Sequence, residues 1–465
     1  MTNEPMIRSV IEQELERGGY SLSSFASRSG INRGTLSAIL NGNPPKPIAI
    51  SQLDLITEAL EYPKGYYYPL YVDECVDSDQ PNRRRLKAFL LRCAEVGQIE
   101  CIQEVLNRIV ENLNYIPMIF DIGEELYEKG LREESRLFYN VVIESEKYQH
   151  SERLAISHYR IFRLSLGDDT EANLIAATRF ELYRTRLPED FQLDGLLHLI
   201  NVYLTLQKYE QAEIYTDELR RLAKSVYKNY ERAYYQSKDF QFRVERHLIV
   251  YYGQGYLLKG VALQFQRRFE EVPKYIAGYA DLSWFVGLDE LGKQMVEKYK
   301  LFAKLNIYNL KVLSGDQSVI TEYIELVKDH PYEILPSLRA IVESANMYGY
   351  FVDDLLEEFD VGTKLYDQFG NYYNTEVSRN RYLRLNYHLS VYYFRKEDHL
   401  EGIKKTLYTL KYAISLSSKD YFMKIVPLFE RYRSYATDEQ LKEYETLLKG
   451  VLKDAEMDYG INSRC

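Results

Sequence analysis

The sequence predicts an all-α protein: a small N-terminal helical domain, then a long array of helix pairs forming a right-handed α-solenoid. Three observations lead there. The chain has 465 residues, and a single core stops growing near ~250–300 residues. Apolar residues recur at helical spacing almost throughout, with very few strand signals. Weakly self-similar segments recur along the chain, as they do in arrays whose units bury their apolar faces only against neighbours. With 46% apolar and 28% charged residues, the composition is that of a folded protein. No long uninterrupted apolar stretch is present, so no membrane contact is expected.

The first seventy residues read as four short helices with tight turns. Met6 to Arg17 carries Met6, Ile7, Val10, Ile11 and Leu15 at helical spacing, and Gly18-Gly19 ends it. Ser21 is a good N-cap for a helix through Phe25, Ala26 and Ser29. Gly30 stands where a left-handed residue must turn the chain, and Ile31 is expected to plug the core. Asn32 caps a third helix, Arg33 to Leu40, which Asn41-Gly42 stops. The run Asn43-Pro44-Pro45-Lys46-Pro47 is a stiff loop. Ser51 to Leu60 is a fourth helix, with Leu53, Ile56 and Leu60 on one face.

The charge pattern singles out the same region. The chain as a whole carries 59 basic and 69 acidic residues, a net charge of -10, which is hostile to nucleic acid. Between Glu16 and Asp54, however, there is no acid, while Arg17, Arg28, Arg33 and Lys46 make the stretch locally basic.

The order SLSSFASRSGINRGTLSAILNG resembles the helix-turn-helix of the Xre/Cro/C1 repressor family over roughly the first seventy residues. The family's Leu-Ala pair falls on Phe25-Ala26, its turn glycine on Gly30, its branched apolar residue on Ile31, its polar cap on Asn32 and its terminal glycine on Gly42. QLDLITEAL resembles the fourth helix. One departure is Leu22, where the family often has a phosphate-touching glutamine. The resemblance implies that the third helix enters the major groove of double-stranded DNA. The implied contact set is Ser21, Ser23, Arg28, Asn32, Arg33, Gly34, Thr35, Ser37, Asn43 and Lys46. Arg33 is the best base reader, because a guanidinium matches both acceptors of guanine. Arg28, Lys46 and the amides at helix starts are expected to hold phosphates. One such module makes few contacts, so a homodimer on a palindromic operator is expected.

Residues 71–82 are polar towards their end and contain Pro81. They read as a linker between a domain at 1–70 and a repeat domain at 83–465. Within the latter, NVYLTLQKYEQAEIYTDELRRL from Asn201 to Leu222 resembles a tetratricopeptide repeat, with Tyr203 and Ala212 on signature positions and Tyr209 at the turn. Weaker units start at Gly123, Gly260, Tyr308 and Val391, and one ends at Phe359. Forty-four tyrosines suit packing between helices and lining a groove.

A helix-turn-helix followed by such an array resembles the peptide-pheromone receptors of Gram-positive bacteria, the Rap/Rgg/NprR/PlcR/PrgX group, together with the phage arbitrium receptors. The resemblance implies a cytoplasmic quorum-sensing regulator that is switched by a short signalling peptide bound on the concave face of the array. It also implies inner asparagines that hold the peptide backbone. Anchoring each unit on its turn places Asn201 and Asn309 at one inner position, with Asn346 a third candidate. Arg339, His388 and Arg395 map to inner positions suited to an acidic side chain or a carboxylate. A second reading is a protein-interaction scaffold whose array docks a partner such as a phosphorelay protein.

Nothing in the sequence suggests an enzyme. GxxxxGKS, HExxH and GxSxG are absent. Glu124-Glu125 and Glu357-Glu358 read as solvated helix faces, and the closest histidines, His150 and His158, are no ligand pair. No cofactor or metal is expected. Cys75, Cys93, Cys101 and Cys465 lack CxxC spacing, which suits a reducing cytoplasm. The N-terminus carries acids within its apolar stretch, so no secretory signal is expected.

Overall fold

The computed structural model describes residues 7–76, 81–238, 240, 242–244, 246–359 and 376–458. Among these, 78% is helical and there is no strand, so the chain is all-α. It divides into two compact units, Met1–Leu164 and Ser165–Cys465. The first contains α1 (Ile7–Arg17), α2 (Leu22–Ser29), α3 (Arg33–Leu40), α4 (Ile50–Ala59), α5 (Tyr68–Val76), α6 (Arg83–Val96), α7 (Ile99–Ile109), α8 (Ile116–Glu128), α9 (Arg132–Glu146) and α10 (Glu152–Ser165). The second contains α11 (Thr170–Glu181), α12 (Glu189–Thr205), α13 (Tyr209–Tyr235), α14 (Leu248–Phe265), α15 (Val272–Ala277), α16 (Glu290–Leu313) and α17 (Ile320–Lys328). It continues with α18 (Ile334–Tyr348), α19 (Asp353–Glu358), α20 (Glu376–Arg395), α21 (His399–Ser415), α22 (Lys419–Tyr432) and α23 (Asp438–Asp458).

The local reading of the first four helices holds closely. Ser21 caps α2 by accepting from the Ser24 amide, and Gly30 takes the left-handed conformation at φ 69°. Asn32 caps α3 by accepting from the Gly34 and Thr35 amides. Ile31 is buried, and so are Leu36, Ile39 and Leu40. The fourth helix starts one residue earlier than expected, at Ile50, with Gln52 reaching back to the Ala49 amide at 3.1 Å. Met6 lies outside the described residues.

The expected linker is corrected. Residues 71–76 belong to α5, which buries Tyr71, Val72 and Cys75, and residues 77–80 lie outside the described part. The polar sequence misleads because the acids on α5 have work inside the protein. Glu74 is clamped by Arg8, whose guanidinium also donates to the carbonyls of Ile39 and Lys46 at 3.0 and 3.3 Å. Tyr71 donates to the Ile48 carbonyl. Asp54 on α4 accepts from Tyr68 at 2.6 Å and from Arg92 of α6 at 2.8 Å. One hydrophobic cluster runs from Ile7 to Val142, so the expected boundary near residue 70 is not a boundary between cores. Three of the four cysteines, Cys75, Cys93 and Cys101, are buried free thiols in this unit; Cys465 lies outside the described residues.

Helix hairpins follow one turn design. Five of the hairpins expected from the sequence place one left-handed residue between their two helices: Gly130, Gln207, Arg267, Gly315 and Glu397. In each, the amide one residue further on reaches the carbonyl five residues back, which satisfies a carbonyl that a helix end leaves open. These bonds are Leu131 to Leu126, Lys208 to Tyr203, Arg268 to Leu263, Asp316 to Lys311 and Asp398 to Tyr393, all 2.8–3.0 Å. A sixth expected turn, α18 to α19, uses Gly349 at φ 83°. The segments expected to begin at Gly123, Asn201, Gly260, Tyr308 and Val391 therefore each contain a helix, a tight turn and a second helix.

Glu124 is not the solvated face that its sequence suggested. Arg160 grips both of its carboxylate oxygens at 2.8–2.9 Å, and Tyr139 donates to it at 2.6 Å. Glu125 pairs with Lys87 and Lys129.

The Arg8–Glu74 pair generates a stability prediction. Arg8→Met leaves a mostly buried carboxylate with only Arg85, at 4.0 Å, to offset its charge. The cost should be about 2 kcal/mol, which lowers the melting temperature of the full chain on the order of 5 °C. Arg8→Met with Glu74→Leu should melt closer to the parent than Arg8→Met alone. A double mutant that melts lower than either single one refutes this account.

Candidate functional sites

In the first unit, α3 exposes its N-terminal end. Arg33 and Gly34 are exposed, and Thr35, Ser37 and Ala38 are half-buried. Among the described residues, no ion pair or side-chain hydrogen bond holds Arg33 or Lys46. Ser21, Ser23, Asn32 and Asn43 are also exposed, although Ser21 and Asn32 already spend an oxygen on capping. Arg28 is corrected. Its Nε–H donates to the Ala59 carbonyl at 2.6 Å, it pairs with Glu61, and it lies over the Tyr20 ring. A guanidinium committed to the end of α4 is not a free phosphate ligand. Arg8, which sequence reasoning passed over, ties α1 to the end of α3 and to the loop at Lys46.

In the second unit, a cleft of about 430 Å³ opens between helices. Its walls come from α12, α14, α16, α18 and α20, which is every second helix, with Glu333 entering from the short turn before α18. The hairpin turns explain this, since each returning helix packs behind the wall that the outgoing helices form. Apolar side chains such as Leu257, Val261 and Phe302 cover much of the surface, as is usual of ligand sites.

Three of the six expected cleft residues line it: Asn201, Asn309 and Arg339. Asn201 is half-buried on α12 and has no side-chain hydrogen bond among the described residues. Asn309 is less available. Only 8% exposed, it accepts from the Tyr323 hydroxyl at 2.8 Å, and that hydroxyl also meets Ser337 at 2.7 Å. Arg339 pairs with Glu343 one turn along α18.

The other three are not among the lining residues. Asn346 donates to the His388 carbonyl at 2.8 Å, joining α18 to α20 beyond the cleft. Arg395 donates to the Tyr350 carbonyl and lies 4.8 Å from the Phe351 ring centre. His388 faces Glu343 at 3.8 Å. All three share a helix face with cleft residues but lie farther along the axis, where α18 and α20 close on each other. Helical periodicity gives the face and leaves the depth open.

Sequence reasoning missed most of the charge in the cleft. Arg246, Lys298, Arg381 and Arg384 line it together with Arg339, and Glu333 is the one carboxylate in the lining. Arg246 is neutralised from behind by Asp194 at 2.8 Å. Burial lifts Glu333 above the usual carboxylate range, against the pull of Arg381 and Lys298. Burial would also raise Glu343, but Arg339, His388, Arg267 and Arg384 outweigh it and hold that carboxyl low. Desolvation pushes His388 down to about 4, against Glu343, which favours its charged form. At neutral pH it therefore offers an anionic ligand no positive charge. The signal that was available is the spacing Arg381, Arg384, His388 on one face of α20.

Among the described residues, no group of three or more His, Cys, Asp and Glu side chains is placed to hold a metal ion. No helix among them is long and apolar enough to cross a membrane.

His388 gives a pH prediction. Its folded pKa lies below the unfolded value of ~6.5, so between pH 6.5 and about 4 the unfolded chain binds more protons. Stability should therefore fall as the pH drops through that window and level off below it. Melting curves at pH 7 and pH 5 should show a smaller acid loss for His388→Gln than for the parent. An equal loss would mean that the imidazole does not titrate as its surroundings dictate.

A scan against protein-family models and a search of curated proteins find no match to this chain.

Proposed function

We propose that this chain is a transcription regulator that reads DNA with α3 and responds to a short peptide held in the cleft of the second unit. The carrying observation is the turn between α2 and α3. A left-handed Gly30, a buried Ile31 and a capping Asn32 are followed by an acid-free helix that presents an unpaired Arg33. This is the arrangement of the helix-turn-helix that the sequence resembles, and its exposed end fits a major groove.

The peptide half of the reading has separate support. Five hairpins with the same turn, and a cleft walled by alternate helices, are what a tetratricopeptide-like solenoid requires. An open, partly apolar cleft with an unpaired asparagine on one wall suits an extended backbone, whose amides each need a partner. The reading includes a homodimer. A single module makes too few phosphate contacts for an affinity of ~10⁻⁸ M or tighter, and two on symmetric half-sites remedy that.

Selection of duplexes from a random pool by the full chain tests the DNA half. A two-fold symmetric motif should emerge. Arg33→Ala should relax the choice at one base of each half-site, losing about 1–3 kcal/mol of discrimination. Lys46→Ala should weaken all sequences evenly and flatten the salt dependence. Loss of specific and random binding in equal measure on Arg33→Ala would mean that α3 is not the reading helix.

For the cleft, Asn201→Ala should lower peptide affinity about ten- to a hundredfold with an unchanged melting temperature, since it leaves a peptide amide unpaired. Asn309→Ala should lower the melting temperature as well, because Tyr323 loses a buried partner. Calorimetry with a peptide selected by the parent chain, alongside melting curves, separates the two. Full affinity in Asn201→Ala removes the backbone-holding role.

A further inference from the structure

Arg384 is only 7% exposed, yet among the described residues it has no carboxylate partner within ion-pair distance. Its Nη2–H donates to the Leu204 carbonyl at 2.6 Å, and its guanidinium lies 4.6 Å from the Phe265 ring centre. Glu343, which feels the charge of Arg384, is already bound to Arg339 and faces His388. A buried charge without a counter-charge is costly, and proteins seldom keep one unless something pairs with it. Arg381 stands one turn earlier on the same face of α20. Lys298 lines the cleft from α16 and forms no ion pair among the described residues. With Arg246 and Arg339 neutralised by Asp194 and Glu343, Arg384 and Lys298 still outnumber the single lining acid, Glu333. Apolar walls strengthen the attraction of an anion to such a surplus.

We propose that Arg384, with Arg381 and Lys298, forms a carboxylate-binding subsite in the cleft, taking either the C-terminal carboxylate or an acidic side chain of the bound peptide. This rests on the peptide reading above and adds the ligand's chemistry. Arg384 supplies the anchor, since its guanidinium is held in place by Leu204 and Phe265 before any ligand arrives. An oriented fork of donors matches a planar carboxylate better than a mobile ammonium does. The exposed Arg381 and Lys298 guide and neutralise the remaining charge.

The test uses the full chain and two random octapeptide pools, one with free C-termini and one C-terminally amidated, with retained peptides sequenced by mass spectrometry. Retention of the free pool alone identifies the terminal carboxylate. Enrichment of Asp and Glu from both pools identifies an acidic side chain. Arg384→Gln should cut retention about tenfold or more. Arg381→Gln, at an exposed position, should cut it by a smaller factor. Neutral peptides retained equally from both pools, or full retention by both variants, would overturn the subsite while leaving the peptide reading in place. If the parent retains nothing from either pool, both ideas fall together.

Discussion

A helix hairpin closed by one left-handed residue is the constraint on which most of this chain depends. The turn is too short to let the second helix wander, so each helix packs on its neighbours in sequence. The left-handed position comes with an energetic penalty for any residue but glycine, yet glutamine, arginine and glutamate occupy it at Gln207, Arg267 and Glu397. What offsets the penalty is the amide-to-carbonyl bond across each turn and the apolar contact of the paired helices. Repeating that unit places alternate helices along one wall of the second unit. The cleft is thus a consequence of the turn geometry and needs no dedicated element of its own.

Charge is distributed against the average of the chain. Most of the net negative charge lies on helix surfaces, where it is solvated or paired at i,i+3 and i,i+4 spacing. Among the described residues, cations without an ion pair stand both at the start of α3 and within the cleft. The two sets differ physically. Around α3 the cations are exposed and the local acids are spent internally, with Glu74 on Arg8 and Glu61 on Arg28. In the cleft a guanidinium is buried, so its field is less screened by water and salt than that of a surface arginine.

The buried ion pairs also fix geometry. Asp194, which is fully buried, accepts from Arg246 and from the Tyr251 hydroxyl. Lys259, equally buried, is held by Glu213 and Asp217. Such pairs add little net stability compared with apolar packing, but breaking one is expensive. They therefore fix the register between α12, α13 and α14. Some tyrosines act similarly, with the hydroxyl bonded inside the core, as Tyr323 is to Asn309 and Ser337.

The sequence by itself determined the helices, their caps and their turns. Ser21 and Asn32 act through bonds to residues two or three positions away and Gly30 through its own backbone angle, so the local pattern contains the whole cause. The hairpins from Gly123 to Val391 were legible for the same reason. Asn201, Asn309 and Arg339 were found because helical periodicity fixes which face a residue occupies. Tertiary structure alone decided the rest. Whether Glu74 is solvated or clamped, whether Arg28 is free or tied to Ala59, and whether Asn346 lies in the cleft or beyond it all depend on partners 31 to 66 residues away. Arg384 was invisible for that reason: its exposure and its lack of a carboxylate arise from the packing of α20 against α12 and α14, and a sequence gives a residue's charge without the dielectric around it.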